Sequence, residues 1–294
     1  MTGHDMTGDG TPDGGTADAR SLWRLFEPIH AVVYFAPEVP AAFEEAGLRG
    51  WWRGYFAGRA APLGPVGPGP VTASFFSFAP ATVARALPSV WRLLPPERAL
   101  DLRRSGTRAA LRRLLEGREK EAGRAAGLLA PVLDGLDCGG RVLAGANVDL
   151  GLPDDPLDAL WQATTVLREH RGDGHVAALV AAGLDGCETL VLRTGIDLPR
   201  SELQPYRGWT DEEWDAAAAR LTARGLLGPD GSATVEGRRV HAEAERVTDR
   251  AAARAWEGLA LAAREELRSV LAPLAASCTP ALRFPNPIGL PTPA

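Results

Sequence analysis

The chain has 294 residues, of which 45% are hydrophobic and 23% are charged, and its formal net charge at pH 7 is −5. This length and apolar content predict a folded protein with one large core or two modest ones. The negative balance excludes a global electrostatic attraction to DNA or to an anionic membrane, although a local basic patch stays open. Cys138, Cys187 and Cys278 lie far apart without a CxxC pair, so we expect a reducing cytoplasm, no disulfide framework and no zinc site.

The two ends of the chain predict tails. Residues 1–20, MTGHDMTGDGTPDGGTADAR, lack the basic-then-apolar order of a signal peptide, and we expect them to be disordered. Residues 278–294 are rich in proline and predict a second tail. No apolar run reaches the roughly 18 residues that a membrane-spanning helix needs, so we expect no membrane partner.

The segments between the tails are rich in alanine, leucine and arginine at helical spacing, which predicts a mainly α fold. We divide them into an N-terminal helical unit at 21–140, a linker at 141–156 and a winged-helix-like unit at 157–277. A local match connects the two units, because 41–64 and 176–199 both contain A-G-L-x-G after an alanine-rich helix. The match indicates either an internal duplication of MarR-related winged helices or the common way of ending a helix at glycine.

The clearest local signature lies in the second unit. Thr210 and Glu213 form a capping box that predicts a helix, and Gly225 predicts its end. A Pro-Asp-Gly turn then predicts a short β-hairpin near 226–235, and another helix follows it. Helix, hairpin and helix in this order are typical of the back half of a winged helix.

In such a fold the helix at 211–224 would read DNA, but its charges argue against this. Its first turns carry the carboxylates of Asp211, Glu212, Glu213 and Asp215. Phosphate rows repel carboxylates at this end of a recognition helix. The available arginines lie at the far end of the helix or beside the hairpin: Arg220, Arg224, Arg238 and Arg239. DNA is therefore a possible but disfavoured partner, and a groove that binds a small molecule explains the chain better.

Residues 167–179, LREHRGDGHVAAL, interrupt a helical pattern that Asp155 caps. We expect the helix to end at 169–171, a tight turn at Gly172 and Gly174, and a new helix from His175. His170 and His175 would then converge across the turn.

Three interpretations of this turn stay open. The histidines and Asp173 form an acid–base pair, because imidazole exchanges protons near neutral pH and a carboxylate fixes its tautomer. Alternatively, His170, His175 and a carboxylate from Glu169 or Asp173 hold a metal ion, although no third histidine lies near. In the third interpretation Asp173 caps the next helix, and Glu169, Arg171 and the histidines tie two helices together.

The first unit offers a second group of candidates. In EPIHAVVYFAPE, His30 and Tyr34 lie four positions apart and share a helix face if the helix continues past Pro28. His30 is either a core histidine with satisfied hydrogen bonds or part of a site. In RGYFAGRAAPLGP, a glycine-bearing loop is flanked by Arg53, Tyr55 and Arg59. These arginines either hold a carboxylate or phosphate of a ligand or form surface salt bridges.

Common cofactor and hydrolase signatures are missing from the sequence, including GxxxxGK[ST], GxGxxG after a strand, GxSxG and HExxH. We therefore expect no organic cofactor.

The segments EPIHAVVYFAPE, RGYFAGRAAPLGPV, FFSFAP, LREHRGDGHVAAL and RGWTDEEW resemble the SalK-like family of actinobacterial helix-turn-helix proteins over most of 21–275. The resemblance implies a helical, winged-helix-related fold in a bacterial cytoplasm and, through the family's name, a link to specialised metabolism. It implies no catalytic residues.

Our first functional hypothesis is a cofactor-independent acid–base tailoring enzyme of bacterial specialised metabolism, with a substrate pocket between the two units. Its predicted catalytic residues are His30, His170, Asp173 and His175. Its predicted substrate-binding residues are Tyr34, Arg53, Tyr55, Arg59, Glu169 and Arg171. The alternative is a MarR-like transcriptional regulator that binds DNA and a small effector, with a homodimer as a possible assembly. A third hypothesis is a structural partner protein that uses the helices at 97–127.

Overall fold

The computed structural model describes residues 14–291, and regular secondary structure in this range is helical, which confirms the predicted mainly α fold. The helices are α1 (Gly14–Phe35), α2 (Glu38–Glu45), α3 (Trp51–Ala60), α4 (Pro68–Phe75), α5 (Pro80–Ala86), α6 (Pro96–Leu114), α7 (Glu119–Asp134), α8 (Val142–Val148), α9 (Pro156–Ala181), α10 (Gly186–Thr194), α11 (Arg200–Arg207), α12 (Asp211–Ala223), α13 (Val235–Ala253) and α14 (Leu261–Cys278). Short 3₁₀ turns occupy Ala61–Leu63, Ser89–Arg92, Arg254–Trp256 and Thr279–Ala281.

Helix α9 organises the fold. Its buried residues surround the whole helix rather than one stripe, as expected for a helix inside a protein. It packs against α1, α6, α7, α8 and α13. The main core combines apolar side chains of α1, α6, α7, α9, α13 and α14, so helices of both predicted units contribute to it. The division at 141–156 stays a prediction, and α8 lies within that segment with Leu143 and Asn147 buried.

Each half of the chain also contributes most of the side chains of one smaller hydrophobic core. One core collects apolar side chains of α2 to α6, among them Phe43, Phe56 and Phe75, with Leu143 of α8. The other collects the end of α9 with α10 to α13, around Trp214 and Leu192. Capping signals in the sequence predict the first residues of two helices correctly. The Asp155 cap and the Thr210–Glu213 capping box are both formed, which confirms the predicted starts of α9 and α12.

The predicted hairpin at 226–235 is not supported. Between α12 and α13 the described chain forms one isolated antiparallel bridge, Leu227 to Ala233, rather than paired strands. The N–H of Gly228 bonds the carbonyl of Ser232, and Thr234 already caps α13. The tight loop and the cap leave too few residues between the helices for a ladder.

The A-G-L-x-G match has a local explanation. Gly47 and Gly183 both take a positive φ, of 87° and 70°. The next residue, Leu48 or Leu184, is buried, and its N–H bonds the carbonyl five positions earlier. Both segments are therefore Schellman ends of a helix. This shared ending accounts for the match, and the winged-helix duplication is not supported.

The predicted disordered tail at 1–20 is wrong for its described part, since residues 14–20 belong to α1. Ala19 is buried, and Arg20 forms ion pairs with Glu245 and Asp249 of α13, which fix this turn. The remainder of that prediction, residues 1–13, lies outside the described residues. At the other end, Leu282 and Leu290 pack against Ala31 of α1, so the chain after α14 is docked onto the body.

Within residues 14–291 no single helix has both the length and the apolar character to cross a membrane. The bent pair of α9 and α10, which meet at 90°, passes on length and composition alone.

Candidate functional site

The segment 167–179 does not break. Helix α9 runs through it, and the predicted turn at Gly172 and Gly174 is wrong. A Cβ on Gly174 would lie 2.6 Å from Nη1 of Arg141. The Arg141 guanidinium crosses α9 at this point and donates to the carbonyls of His170 and Ala251. Gly174 therefore makes room for a neighbouring side chain and does not turn the backbone.

The continuous helix separates the two histidines. Five positions on one α-helix place His170 and His175 about 140° apart around its axis. His170 is buried beside Arg141 in a groove at the end of α7. Nδ1 of His175 lies 2.9 Å from the Thr248 hydroxyl, on the side of α13. Burial lowers the pKa of each histidine to about 4, so both are neutral at pH 7.

Asp173 also has a different partner from the one we expected. Its carboxylate accepts from the N–H of Ala144 at 2.9 Å, so it caps α8 rather than the helix that follows it. Burial raises the pKa of this carboxyl to about 6. Among residues 14–291 no group of three or more His, Cys, Asp or Glu side chains is arranged to hold a metal ion.

Five of the predicted site residues do meet, in a pocket between α1, α2, α3, α6 and α9 that we name the aromatic pocket. The predicted residues in its lining are His30, Tyr34, Tyr55, Arg59 and Glu169. Aromatic rings build its walls, with Trp51 stacked on Tyr55 at 5.1 Å and Trp161 stacked on His30 at 6.2 Å. The pocket is narrow, with about 40 Å³ of free space, and Trp51 at its rim is 41% exposed. A ligand of more than a few atoms must displace this side chain.

A directed hydrogen-bond chain lines the pocket. Helix α1 continues past Pro28, so His30 and Tyr34 share a face as expected. The Thr165 hydroxyl has one hydrogen, which it donates to the carbonyl of Trp161 at 2.8 Å. Nδ1 of His30, 2.9 Å from the Thr165 oxygen, is therefore the donor in that contact. Nε2 is left as an acceptor, and the Tyr34 hydroxyl donates to it at 3.0 Å.

Burial sets the charge states of this pair. His30 is 2% exposed, and burial, together with Arg168, holds its pKa well below the ordinary value. Burial also raises the pKa of Tyr34, although Arg168 and Arg59 oppose the shift. At pH 7 the pair is therefore a neutral imidazole and a neutral phenol, which is the state that a proton relay needs.

Glu169 forms the floor of the pocket with two arginines. Arg59 donates to both of its oxygens, Nε and Nη2 each at 3.0 Å, and Arg168 donates to Oε2 at 3.0 Å. Nη1 of Arg59 donates to the Tyr55 hydroxyl at 3.1 Å. Burial alone would raise the pKa of Glu169, but Arg168 and Arg59 hold it far below the ordinary value. The charge of Arg59 is thus paired with Glu169, and three of its five N–H donors are used by Glu169 and Tyr55.

The remaining predicted residues lie elsewhere. A second depression, the polar cleft, runs between α1, α9, α10 and α13 and is lined by Arg168, Gly172, His175, Arg193 and His241. Arg171 and Asp173 also line parts of this cleft, while Arg59 and Glu169 separate its inner end from the aromatic pocket. Arg53 and His170 line neither space. The predicted residues therefore do not form one constellation, and their catalytic and binding roles stay predictions.

Sequence reasoning missed Trp161, Thr165 and Arg103 as residues of the pocket lining. Trp161 and Thr165 lie four positions apart on α9, and a continuous helix through 167–179 would have placed them on one face with Glu169. Arg103 is one of many arginines on α6, and no local signal distinguishes it.

The comparison with protein families bears on the whole fold. The profile of a helix-turn-helix family matches residues 19–285. The chain belongs to the helix-turn-helix family. No curated protein and no solved structure matches it. The narrower SalK-like assignment stays a prediction for this helix-turn-helix protein.

The charges around α12 of this helix-turn-helix protein are largely paired within the chain. Arg200 of α11 contacts Asp211 at 2.6 Å and Asp215 at 3.4 Å. Arg220 pairs with Asp185 and Glu188, at 2.6 and 2.8 Å. The remaining arginines of this surface are also engaged: Arg224 contacts Glu188, Arg238 donates to the carbonyl of Gly195, and Arg239 pairs with Glu236.

Proposed function

We propose that this helix-turn-helix protein binds a small organic molecule in the aromatic pocket and exchanges a proton with it through Tyr34 and His30. The observation that carries the proposal is the directed chain from Tyr34 through His30 and Thr165 to the carbonyl of Trp161. A core histidine also needs a partner on each ring nitrogen, and the position of both His30 and its partner Tyr34 in the lining of a pocket favours a site. The resemblance to the SalK-like proteins favours a ligand from bacterial specialised metabolism.

The relay moves a proton without a cofactor. The Tyr34 hydroxyl gives its hydrogen to Nε2 of His30, so its oxygen accepts hydrogen bonds from the ligand. When an O–H bond of the ligand breaks, its proton forms a new O–H bond on Tyr34, and the former Tyr34 proton forms an N–H bond at Nε2. The ligand is left as an oxyanion and His30 as an imidazolium. Burial and Arg168 oppose that imidazolium, whereas the carboxylate of Glu169 and the oxyanion formed on the ligand supply negative charge that favours it.

The aromatic pocket is preferred over the polar cleft as the ligand site because the two spaces differ in how far their charged groups are already paired within the chain. In the cleft, Arg171 pairs with Glu245 and Asp249, and His175 bonds Thr248. The charges of these groups are therefore paired within the chain, although Nη1 of Arg171 and Oδ1 of Asp249 have no hydrogen-bond partner among the described residues and the outer cleft is the roomier space at about 480 Å³. The aromatic pocket combines apolar walls with few polar groups, which is the usual character of a small-molecule site.

4-Nitrophenol provides the test, because its phenolate absorbs at a longer wavelength than the phenol. At a pH where the free probe is mostly protonated, saturable quenching of tryptophan fluorescence together with growth of the phenolate band is expected. Tyr34→Phe keeps the ring and is expected to bind the probe without the phenolate band. Tyr206→Phe, a tyrosine of α11 that bonds Arg283, is the matched control and should behave as the wild type. Absence of saturable binding, or an undiminished band in Tyr34→Phe, would refute the proposal.

A second candidate is a DNA-binding regulator that uses the same pocket for its effector, and membership of the helix-turn-helix family favours it. The acidic start of α12 and the paired arginines beside it oppose it. Fluorescence anisotropy with a random-sequence duplex at low and moderate salt separates the two. Salt-sensitive binding in the micromolar range supports the regulator, and its absence supports a protein that only handles small molecules.

A further inference from the structure

We infer that the ligand of the aromatic pocket is an anion of the carboxylate class and that its carboxylate pairs with Arg103. This inference rests on the proposed binding of a small molecule in that pocket. It names the charge of the ligand and the residue that recognises it, which the proton relay does not.

Arg103 is a buried cation with most of its donors unused. It is 5% exposed and belongs to the pocket lining. Its Nη1 donates to the carbonyl of Gly58 at 3.1 Å, and its Nη2 donates weakly to Oδ1 of Asn147 at 3.4 Å. Its Nε is buried and has no hydrogen-bond partner. A guanidinium carries five N–H donors, so three of those of Arg103 have no hydrogen-bond partner within the described part of the chain.

The charge of Arg103 also has no ion-pair partner, and the Glu169 carboxylate, which acts on it from a distance, is already paired with Arg59 and Arg168. Among the described residues, no Asp or Glu oxygen lies within ion-pair distance of Arg103. The other arginine of α6 to α9 that is less than a tenth exposed, Arg171, contacts Glu245 and Asp249 at 3.4 and 3.2 Å. A buried charge without a partner is expensive, so folded proteins rarely keep one unless something supplies the opposite charge.

The surroundings of Arg103 select the kind of anion. Its guanidinium lies 5.1 Å from the Trp161 ring, in a pocket with aromatic walls. Burial lowers its pKa to about 10, so it stays protonated at pH 7. A planar guanidinium with Nε and an Nη donor free matches the two oxygens of a carboxylate. In an aromatic carboxylate, the carboxylate therefore pairs with the guanidinium and the ring packs against the aromatic walls.

Benzoate and benzamide test the inference, because they share size and shape and differ in charge. Calorimetric titration of the wild type is expected to give at least tenfold tighter binding of benzoate, as hydrogen bonds to charged groups usually contribute. Arg103→Met should bind the two probes equally. Arg98→Gln is the matched control, because it removes the same charge from an exposed position of α6, and it should keep the preference for benzoate.

Thermal unfolding adds a readout that does not depend on affinity. Without ligand, Arg103→Met is expected to unfold at no lower temperature than the wild type, since it removes a buried charge that has no ion-pair partner. Benzoate should raise the unfolding temperature of the wild type and leave that of the variant unchanged. Arg103→Lys, which keeps the charge and loses the fork, should show an intermediate preference and serves if the methionine variant does not fold.

The outcomes separate the two proposals. Equal affinity of the wild type for benzoate and benzamide would overturn the anionic ligand and leave the pocket as a binding site. A preference for benzoate that survives in Arg103→Met would overturn Arg103 as its partner. Binding of neither probe would overturn this inference, and the 4-nitrophenol titration then decides separately whether the pocket binds small molecules.

Discussion

Glu169 of α9 accepts two parallel hydrogen bonds from Arg59 of α3, which lies 110 positions earlier in the chain. This pair, together with Arg168, closes the floor of the aromatic pocket and separates it from the polar cleft. An ion pair buried this deeply is costly to break, because the partner that remains keeps its charge away from water.

Glu169→Gln is therefore expected to lower the free energy of unfolding by about 3–5 kcal/mol, as measured by urea denaturation at pH 7. The Glu236→Gln variant removes a carboxylate from an exposed pair with Arg239 and should change stability little. A loss in Glu169→Gln no larger than that in Glu236→Gln would show that the pair does not hold α3 on α9.

The same carboxylate predicts a pH dependence. Because Arg168 and Arg59 hold the pKa of Glu169 far below its ordinary value, the unfolded chain binds a proton before the folded chain does. Its stabilising contribution is complete above the unfolded value of about 4.3 and is lost as the pH falls below it. Urea midpoints between pH 7 and 3 should fall more steeply for the wild type than for Glu169→Gln, and parallel curves would contradict this.

His170 adds a second, separate pH effect. Burial lowers its pKa to about 4, so between its unfolded value of about 6.5 and pH 4 the unfolded chain binds the extra proton. Stability should therefore decrease as the pH falls through this window, and less so in His170→Gln. Unfolding curves at pH 7, 5.5 and 4 measure the difference. If the free energy of unfolding decreased as steeply with falling pH in His170→Gln as in the wild type, His170 would be in contact with water in the folded protein.

The two glycines of α9 give a direct test of the continuous helix. A Cβ on Gly172 meets nothing closer than 3.7 Å, so Gly172→Ala should stabilise the protein by about 0.5–1 kcal/mol through helix propensity. Gly174→Ala should lack this gain, because the new methyl group displaces Arg141 from the His170 carbonyl. Thermal unfolding distinguishes the variants. Destabilisation by both would favour the turn that the sequence predicts.

Thr165→Val tests the direction of the hydrogen-bond chain. It removes the acceptor of the His30 Nδ1 hydrogen and keeps the shape of the side chain. A buried donor without a partner costs about 1–3 kcal/mol, which denaturation measures. Nitrogen-15 spectra of the imidazole should show the Nδ1-protonated tautomer in the wild type and a changed hydrogen bond in the variant. If the wild-type spectrum showed the tautomer protonated at Nε2, the hydrogen-bond chain would run in the direction opposite to the one that we propose.

Local chemistry made part of the fold predictable. Asp155 and the Thr210–Glu213 box are caps whose partners lie within three residues, and both begin the helices that the sequence indicates. The glycines at 172 and 174 misled the prediction because glycine usually marks a turn. Gly174 is explained by the side chain of Arg141, the residue before α8, and no spacing in the sequence shows that contact. No contact in the structure explains Gly172.

The candidate site was partly predictable for the same reason. His30 and Tyr34 were found because they share a face of one helix. The pairing of Glu169 with Arg59 depends on how α3 packs against α9, and the chemistry of either residue alone fits a surface ion pair equally well. Arg103 differs from the other buried arginine because it has no carboxylate partner within residues 14–291. This difference can be seen only in the folded structure.

The most direct measurement of the central claim is a crystal structure of the wild type grown with 4-nitrophenol. We expect the probe between the aromatic walls, with its oxygen within hydrogen-bond distance of the Tyr34 hydroxyl and Trp51 displaced from the rim. An empty aromatic pocket in a crystal that holds the probe in the polar cleft would contradict the claim and would move the site to Arg171 and His175.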